Sequence, residues 1–110
     1  MYNEQEIITE AAEQKAKGLF SDVVRMKTLY TLYKSADTTR ALLQEGTIDS
    51  NDCALNENEL HEAMVATSKE IKATAKQLLT ESQQLADEGN VYAERLHEMV
   101  IEELHEMSNH

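Results

Sequence analysis

Polar and apolar residues alternate along residues 57–88 at steps of four and three, the spacing of a helix that packs along one seam. The seam has eight positions: Leu60, Met64, Thr67, Ile71, Thr74, Leu78, Glu81 and Leu85. Asn56 and Glu59 have the spacing of a reciprocal capping box at its start. Gly89 follows its end, where a residue with left-handed backbone commonly stops a helix. The pattern predicts one long helix over about 57–88.

The same reasoning predicts three further helices. Periodic apolar positions indicate helices over about 22–45 and 91–107, and a narrow face of small residues indicates one over about 4–17. The apolar face of the last helix is predicted to contain Tyr92, Leu96, Met99, Val100, Leu104 and Met107. Gly, Asp, Ser and Asn cluster within residues 46–55, which predicts the loop between the two central helices.

Two interior glycines leave two architectures open. Gly18 and Gly89 lie at similar distances from the loop, so they sit at nearly the same height in an antiparallel hairpin. If both end a helix, the chain forms four antiparallel helices. If the helices continue straight through both, the chain forms a long two-helix hairpin that needs a second copy to cover its seams.

Either architecture belongs to the all-α class. The prediction is an antiparallel helical bundle built on a long hairpin, 22–45 and 57–88, with shorter flanking helices, in a single domain spanning 1–110. The chain has no Trp and one Phe, so its core must be mostly aliphatic. A thin core in a chain of 110 residues favours self-association, with a homodimer as the simplest form.

The net charge of −11 restricts the partners. Phosphates repel an acidic surface, so we expect neither direct nucleic-acid binding nor binding to an anionic membrane. Cys53 is the only cysteine, which excludes an internal disulfide and suits a reducing compartment. The first residues lack the pattern of a signal peptide, and no stretch has the apolar length of a membrane span. These features predict a cytoplasmic protein and suit a bacterial or phage setting.

Charge is also segregated along the chain. Positions 15 to 40 contain six basic and only two acidic residues: Lys15, Lys17, Arg25, Lys27, Lys34 and Arg40, and Asp22 and Asp37. This segment either lies beside acidic helices that offset its charge, or presents a basic stripe to an acidic partner. The first interpretation is the simpler one.

The last predicted helix contains one spacing that is typical of metal ligands. Glu94 and His97, and again Glu102 and His105, follow the Glu-x-x-His pattern of carboxylate-bridged metal bundles. In those bundles the two motifs lie on different helices. Here both lie on one helix and point in directions about 80° apart. A solvated acidic face is therefore favoured over a metal site, and no cofactor is expected.

Large apolar and aromatic residues suggest a protein-interaction surface. Leu29, Tyr30, Leu32 and Tyr33 are too closely spaced to be covered by one stripe of a helix. Ile101 lies among acidic residues of the last helix, away from its apolar face. Ordinary core packing is the alternative explanation for the tyrosine patch.

No catalytic grouping is evident. The sequence has no glycine-rich phosphate loop, and Cys53 has no His or basic neighbour that would activate its thiol. We expect a non-enzymatic, small acidic helical protein that binds another protein as an inhibitor, adaptor or chaperone. The alternatives are a structural homo-oligomer without another partner, a nucleic-acid mimic that uses acidic helix faces, and a metal-binding helical bundle.

Overall fold

The computed structural model describes residues 4–108, apart from the side chains of residues 4, 5, 7 and 8. The described chain contains α1 (Glu4–Gln44), a 3₁₀ turn (Ser50–Asp52), α2 (Glu57–Asp87) and α3 (Val91–Ser108), and no strand. The helices pack against one another, which confirms the predicted all-α helical bundle.

The first two predicted helices are one continuous helix, so the predicted break between 4–17 and 22–45 is wrong. Gly18 keeps a negative φ inside α1, and the Ser21–Asp22 pair caps nothing. A glycine within a helix costs only about 1 kcal/mol relative to alanine. Burial of Leu19 and Val23 just after it outweighs that cost, because both side chains are almost fully removed from water.

Gly89, in contrast, ends α2. Its φ of 90° lies in the left-handed region, which L-residues with a side chain rarely adopt. The Gly89 N–H donates to the Ala86 carbonyl at 2.9 Å, and the Asn90 N–H donates to the Leu85 carbonyl at 3.0 Å. These two bonds form a Schellman motif. Only one of the two interior glycines therefore interrupts a helix. The described chain forms three helices, rather than the four antiparallel helices or the two-helix hairpin considered from the sequence.

Both ends of the α1–α2 loop match the prediction. Gly46, with a φ of 75°, ends α1 through the same type of motif. At the start of α2 the Glu59 N–H donates to Asn56 Oδ1 at 2.8 Å, and the Asn56 N–H donates to Glu59 Oε1 at 3.1 Å. The predicted capping box is confirmed. The similar box predicted at Asn3 and Glu6 includes a residue outside the described part of the chain.

The chain divides into two compact units. The three-helix unit contains the described residues of Met1–Met26 and Thr74–His110, and the hairpin unit contains Lys27–Ala73. The three-helix unit holds most of the buried side chains: Ala16, Leu19, Val23, Met26, Thr74, Ala75, Leu78, Ser82, Asn90, Ala93, Leu96 and Val100. In the described hairpin unit only Leu60 and Met64 are buried to that degree. The predicted single domain over 1–110 stays a prediction.

The inward faces of α2 and α3 differ in detail from the predicted stripes. Tyr92 and Met99 are exposed, because the buried face of α3 is centred on Leu96 and Val100. On α2, Ser82 rather than Glu81 is the buried residue of its turn. Glu81 is half-buried and accepts a hydrogen bond from Gln77 Nε2 at 3.1 Å. A straight α-helix has 3.6 residues per turn. A row of positions spaced at 3.5 residues therefore rotates slowly around the helix, and one position further along takes over the buried place.

Asn90 holds α3 in place within the three-helix unit. Its backbone follows Gly89 directly, and its side-chain Oδ1 accepts from the Ala93 N–H at 3.1 Å, which caps α3. Its Nδ2 donates to the Ala12 carbonyl of α1 at 3.0 Å. The small side chains of Ala12 and Ala16 permit this close approach. One buried side chain therefore starts α3 and ties it to α1.

The two interior glycines should respond in opposite ways to alanine. A Cβ added at Gly18 or at Gly89 meets nothing within 4 Å, so only the backbone conformation differs. Gly18→Ala should stabilise the protein by about 0.5–1 kcal/mol, because alanine lowers the entropy of the unfolded chain and favours the helix. Gly89→Ala should destabilise it by about 1 kcal/mol or more, because its φ is positive. Urea unfolding followed by circular dichroism measures both, and equal effects would contradict the assigned conformations.

Replacing Asn90 should weaken the three-helix unit. Asn90→Ala removes the cap of α3 and the bond to Ala12, with an expected loss of about 1–3 kcal/mol. Asn58→Ala is the matched control, since Asn58 is exposed on α2 and should change stability by less than about 0.5 kcal/mol. Urea unfolding of the two variants provides the comparison, and similar midpoints would refute the role of Asn90.

Candidate functional site

A groove of about 310 Å³ lies on the hairpin unit. We call it the basic groove, and eight residues line it: Tyr33, Arg40, His61, Met64, Val65, Ser68, Lys69 and Lys72. Two of these come from α1 and six from α2. The α2 residues at 61, 65, 68 and 72 follow steps of four and three, so they share one side of that helix. Residues 33 and 40 lie two turns apart on α1, again on one side.

The groove is positively charged in a protein whose net charge is −11. Arg40, Lys69 and Lys72 line it together with His61, and no acidic residue does. Within the described chain none of these three cations has a carboxylate within 4.0 Å. The Nε of Arg40 is enclosed and has no hydrogen-bond acceptor in the described part of the protein. The groove therefore offers several cations whose charge is not neutralised locally.

Apolar side chains accompany these charges. Met64 is buried, Tyr33 is half-buried, and Val65 is 42% exposed at the groove. Leu32, which precedes Tyr33 in sequence, is 57% exposed and points about 100° away from it, outside the lining of the groove. A surface that combines a half-buried tyrosine, exposed aliphatic groups and arginine has the composition of protein-binding sites.

The Tyr30 hydroxyl in the hairpin unit is buried without a hydrogen-bond partner among the described residues. The Tyr30 ring is half-buried, and Lys34 Nζ lies 5.3 Å from the ring centroid, within the range of a cation–π contact. An enclosed polar group without a partner costs free energy. This part of the hairpin unit thus contains a polar group whose hydrogen-bonding capacity is not used within the described chain.

The predicted interaction residues fall in different units. Leu29, Tyr30, Leu32 and Tyr33 belong to the hairpin unit, where three are half-buried and Leu32 is exposed. Ile101 belongs to the three-helix unit and is 41% exposed, on the side of α3 away from its buried face. Their role in binding stays a prediction.

Sequence reasoning missed the contribution of α2 to the groove. Lys69 and Lys72 form a local cluster with Lys76 within the largely acidic sequence that follows residue 41. These three lysines are three of the four bases that follow residue 41, and the fourth is Arg95. That clustering was the available signal. That Lys69 and Lys72 lie in the same groove as Arg40 depends on the register of α1 against α2, which the sequence does not show.

The metal-type motifs of α3 are not assembled into one site. Glu94, Glu102 and His105 are exposed, and His97 is half-buried against α2. No group of three or more His, Cys, Asp or Glu side chains within the described residues could hold a metal ion. The two Glu-x-x-His pairs point in different directions on one helix, as their spacing requires.

His97 instead forms a hydrogen bond with Ser82. The Ser82 Oγ lies 2.8 Å from His97 Nδ1, and this bond joins α2 to α3 inside the three-helix unit. A hydroxyl beside an imidazole is the start of a nucleophile–base pair. However, Ser82 is 0% exposed, and no carboxylate is hydrogen-bonded to the other ring nitrogen in the described chain. The pair connects two helices and is closed to a substrate in this conformation.

The α1–α2 loop borders an open depression of about 970 Å³. Asp49 Oδ1 there accepts from the Asn51 N–H at 3.1 Å and caps the 3₁₀ turn. Cys53 ends that turn with a free, half-buried thiol. These polar groups stabilise the loop conformation, and nothing at the depression indicates a ligand.

Searches against protein-family models, curated proteins and solved structures find no match to this chain. None of the helices in the described residues combines the length and the apolar character needed to cross a membrane. The geometry of the basic groove and of its surroundings therefore carries the functional argument alone.

The Ser82–His97 bond can be tested through stability. Ser82→Ala should destabilise the protein by about 1–2 kcal/mol, because a buried hydrogen bond is lost and His97 Nδ1 is left without its partner. Ser21→Ala, at an exposed position of α1, should have an effect below about 0.5 kcal/mol. Urea unfolding at fixed pH measures both variants. Equal stabilities of the two would show that the bond contributes nothing.

Proposed function

We propose that this protein is a non-enzymatic binding protein that docks a helix of another protein on the open side of its hairpin unit. It would act as an inhibitor, adaptor or chaperone of that partner. As part of the proposal we place it in the cytoplasm, where a reducing environment suits the lone thiol of Cys53.

The difference in coverage between the two units carries this proposal. In the three-helix unit α3 packs on segments of α1 and α2, and the three together bury a continuous set of side chains. In the hairpin unit the described chain provides segments of α1 and α2 and no third helix. A helix pair with one uncovered apolar side is the usual receptor for an amphipathic helix.

The chemistry of the open side supports a protein ligand. Leu32 and Val65 offer exposed aliphatic surface, and Tyr33 and Arg40 are residue types that contribute strongly at interfaces. The cations of the basic groove favour a partner helix that carries carboxylates. They oppose the nucleic-acid mimic, because a mimic presents acidic groups where this face presents basic ones.

Removing exposed apolar groups from the hairpin unit should abolish partner capture. Leu32→Ser/Val65→Ser removes two such side chains, one from α1 and one from the α2 wall of the basic groove. Phe20→Ser/Met99→Ser is the matched control, since it removes two exposed apolar side chains from the three-helix unit. Immobilised wild-type protein and both variants are incubated with extract of the source cells, and bound proteins are identified by mass spectrometry.

We expect a protein that the wild type and the control retain and that Leu32→Ser/Val65→Ser loses. Titration calorimetry with that purified protein should then show a negative heat-capacity change, the mark of apolar burial. Loss of binding in the control, or equal binding by both variants, would place the partner site elsewhere. Circular dichroism spectra that match the wild type confirm that both variants are folded.

A further inference from the structure

We propose that a second copy of this chain docks its own α3 into the basic groove, so that self-association occupies the face that the proposed function assigns to the partner. The inference rests on the proposed function, because it takes the open side of the hairpin unit as the partner-binding face. It is drawn from a second surface of the same molecule, the exposed side of α3. We call this surface the outer strip, and it consists of Val91, Glu94, Arg95, Glu98, Ile101, Glu102 and His105.

The outer strip lies opposite the buried side of α3. Leu96 and Val100 mark the buried side, and the helical turn of 100° per residue places Glu98 and Ile101 on the other side. Every residue of the strip is exposed in the described structure. Two of them are aliphatic, three are glutamates, and Arg95 is the one permanent cation, so the strip is acidic overall, with Val91 at one end and Ile101 along one edge.

The charges of the outer strip and the basic groove are complementary. The strip presents Glu94, Glu98 and Glu102, whereas the groove presents Arg40, Lys69 and Lys72 without a carboxylate beside them in the described chain. Glu98 and Glu102 are one turn apart, about 6 Å along the helix axis, and Lys69 and Lys72 are about 4.5 Å apart. Two helices that lie alongside each other can therefore bring both carboxylates to both ammonium groups.

The apolar groups can meet in the same arrangement. Along α3, Ile101 falls between Glu98 and Glu102 in sequence, and Val65 lines the basic groove together with Tyr33. Burying Ile101 against Val65 and Tyr33 would remove exposed apolar surface on both sides. The surrounding ion pairs would set the register of the contact.

The dimensions of the two surfaces also agree. The strip extends from Val91 to His105, about 21 Å along α3, and the α2 wall of the groove extends from His61 to Lys72, about 17 Å. One α3 is thus long enough to cover the groove. It would take the place of the third helix that the hairpin unit lacks in the described chain, just as α3 covers the helices of its own three-helix unit.

This arrangement has a functional consequence. If the α3 of a second copy and a partner helix use the same face, they exclude each other, so self-association lowers the concentration of free partner sites. At high protein concentration the face is covered by other copies. A partner with a more complementary acidic helix then displaces them.

Charge reversal on each surface tests the contact. Sedimentation equilibrium across a wide concentration range should show reversible self-association of the wild type that weakens in 1 M NaCl. Lys69→Glu/Lys72→Glu should raise the dissociation constant about tenfold or more through the lost ion pairs. Glu98→Lys/Glu102→Lys should weaken association similarly, although it moves the net charge from −11 toward zero, which alone would favour association.

An equimolar mixture of the two variants is the decisive arm. In the mixture each reversed surface meets an oppositely charged one, so a mixed complex should form at concentrations where each variant alone is mostly monomeric. Lys15→Glu/Lys17→Glu is the matched control, because it reverses two exposed lysines of the three-helix unit and should leave self-association unchanged. Circular dichroism checks that every variant keeps its helical content.

Three results would overturn the inference. They are a wild type that stays monomeric at all concentrations, undiminished association of Glu98→Lys/Glu102→Lys, and a mixture that remains monomeric. None of them affects the proposed function, which is tested by capture through Leu32 and Val65. Conversely, a self-associating protein that captures no partner would uphold this contact and refute the proposed function.

Discussion

The turn at Gly89 and Asn90 is the constraint on which the rest of the structure depends. Gly89 allows a left-handed backbone that ends α2, and the next residue caps α3 and bonds to the Ala12 carbonyl. These local bonds fix which segments of α1 and α2 receive a third helix. They receive it at Ala16, Leu19, Val23 and Met26 of α1 and at Thr74, Ala75, Leu78 and Ser82 of α2, where the core forms.

The two units of the chain differ in how completely their side chains are buried and hydrogen-bonded. The three-helix unit is closed by aliphatic packing and by the buried Ser82–His97 bond, which together favour stability. The hairpin unit leaves Leu32 and Val65 exposed and encloses a tyrosine hydroxyl that lacks a partner in the described chain.

The charges of the basic groove bear on which partner would fit the uncovered surface of the hairpin unit. An exposed ion pair contributes only about 0–1 kcal/mol, so the lysines of the basic groove would add little affinity singly. In the proposed complex their role would be selection, because like charges placed opposite one another disfavour a basic partner, whereas an acidic helix is held in register. In a protein with a net charge of −11, a groove without acids concentrates this selectivity in one place. Long-range repulsion between acidic molecules then leaves the local match to decide which contacts persist.

The sequence alone determined the helical class, the long α2, its capping box at Asn56 and the helix ends at Gly46 and Gly89, because these depend on neighbours within a few residues. Tertiary structure decided the rest. It kept α1 continuous through Gly18, since burial of Leu19 and Val23 exceeds the cost of one glycine. It also brought Arg40 beside Lys69 and Lys72, because such a contact depends on the register of two helices that are joined through a loop. Local patterns specify where helices begin and end, whereas packing specifies which of their faces remain open.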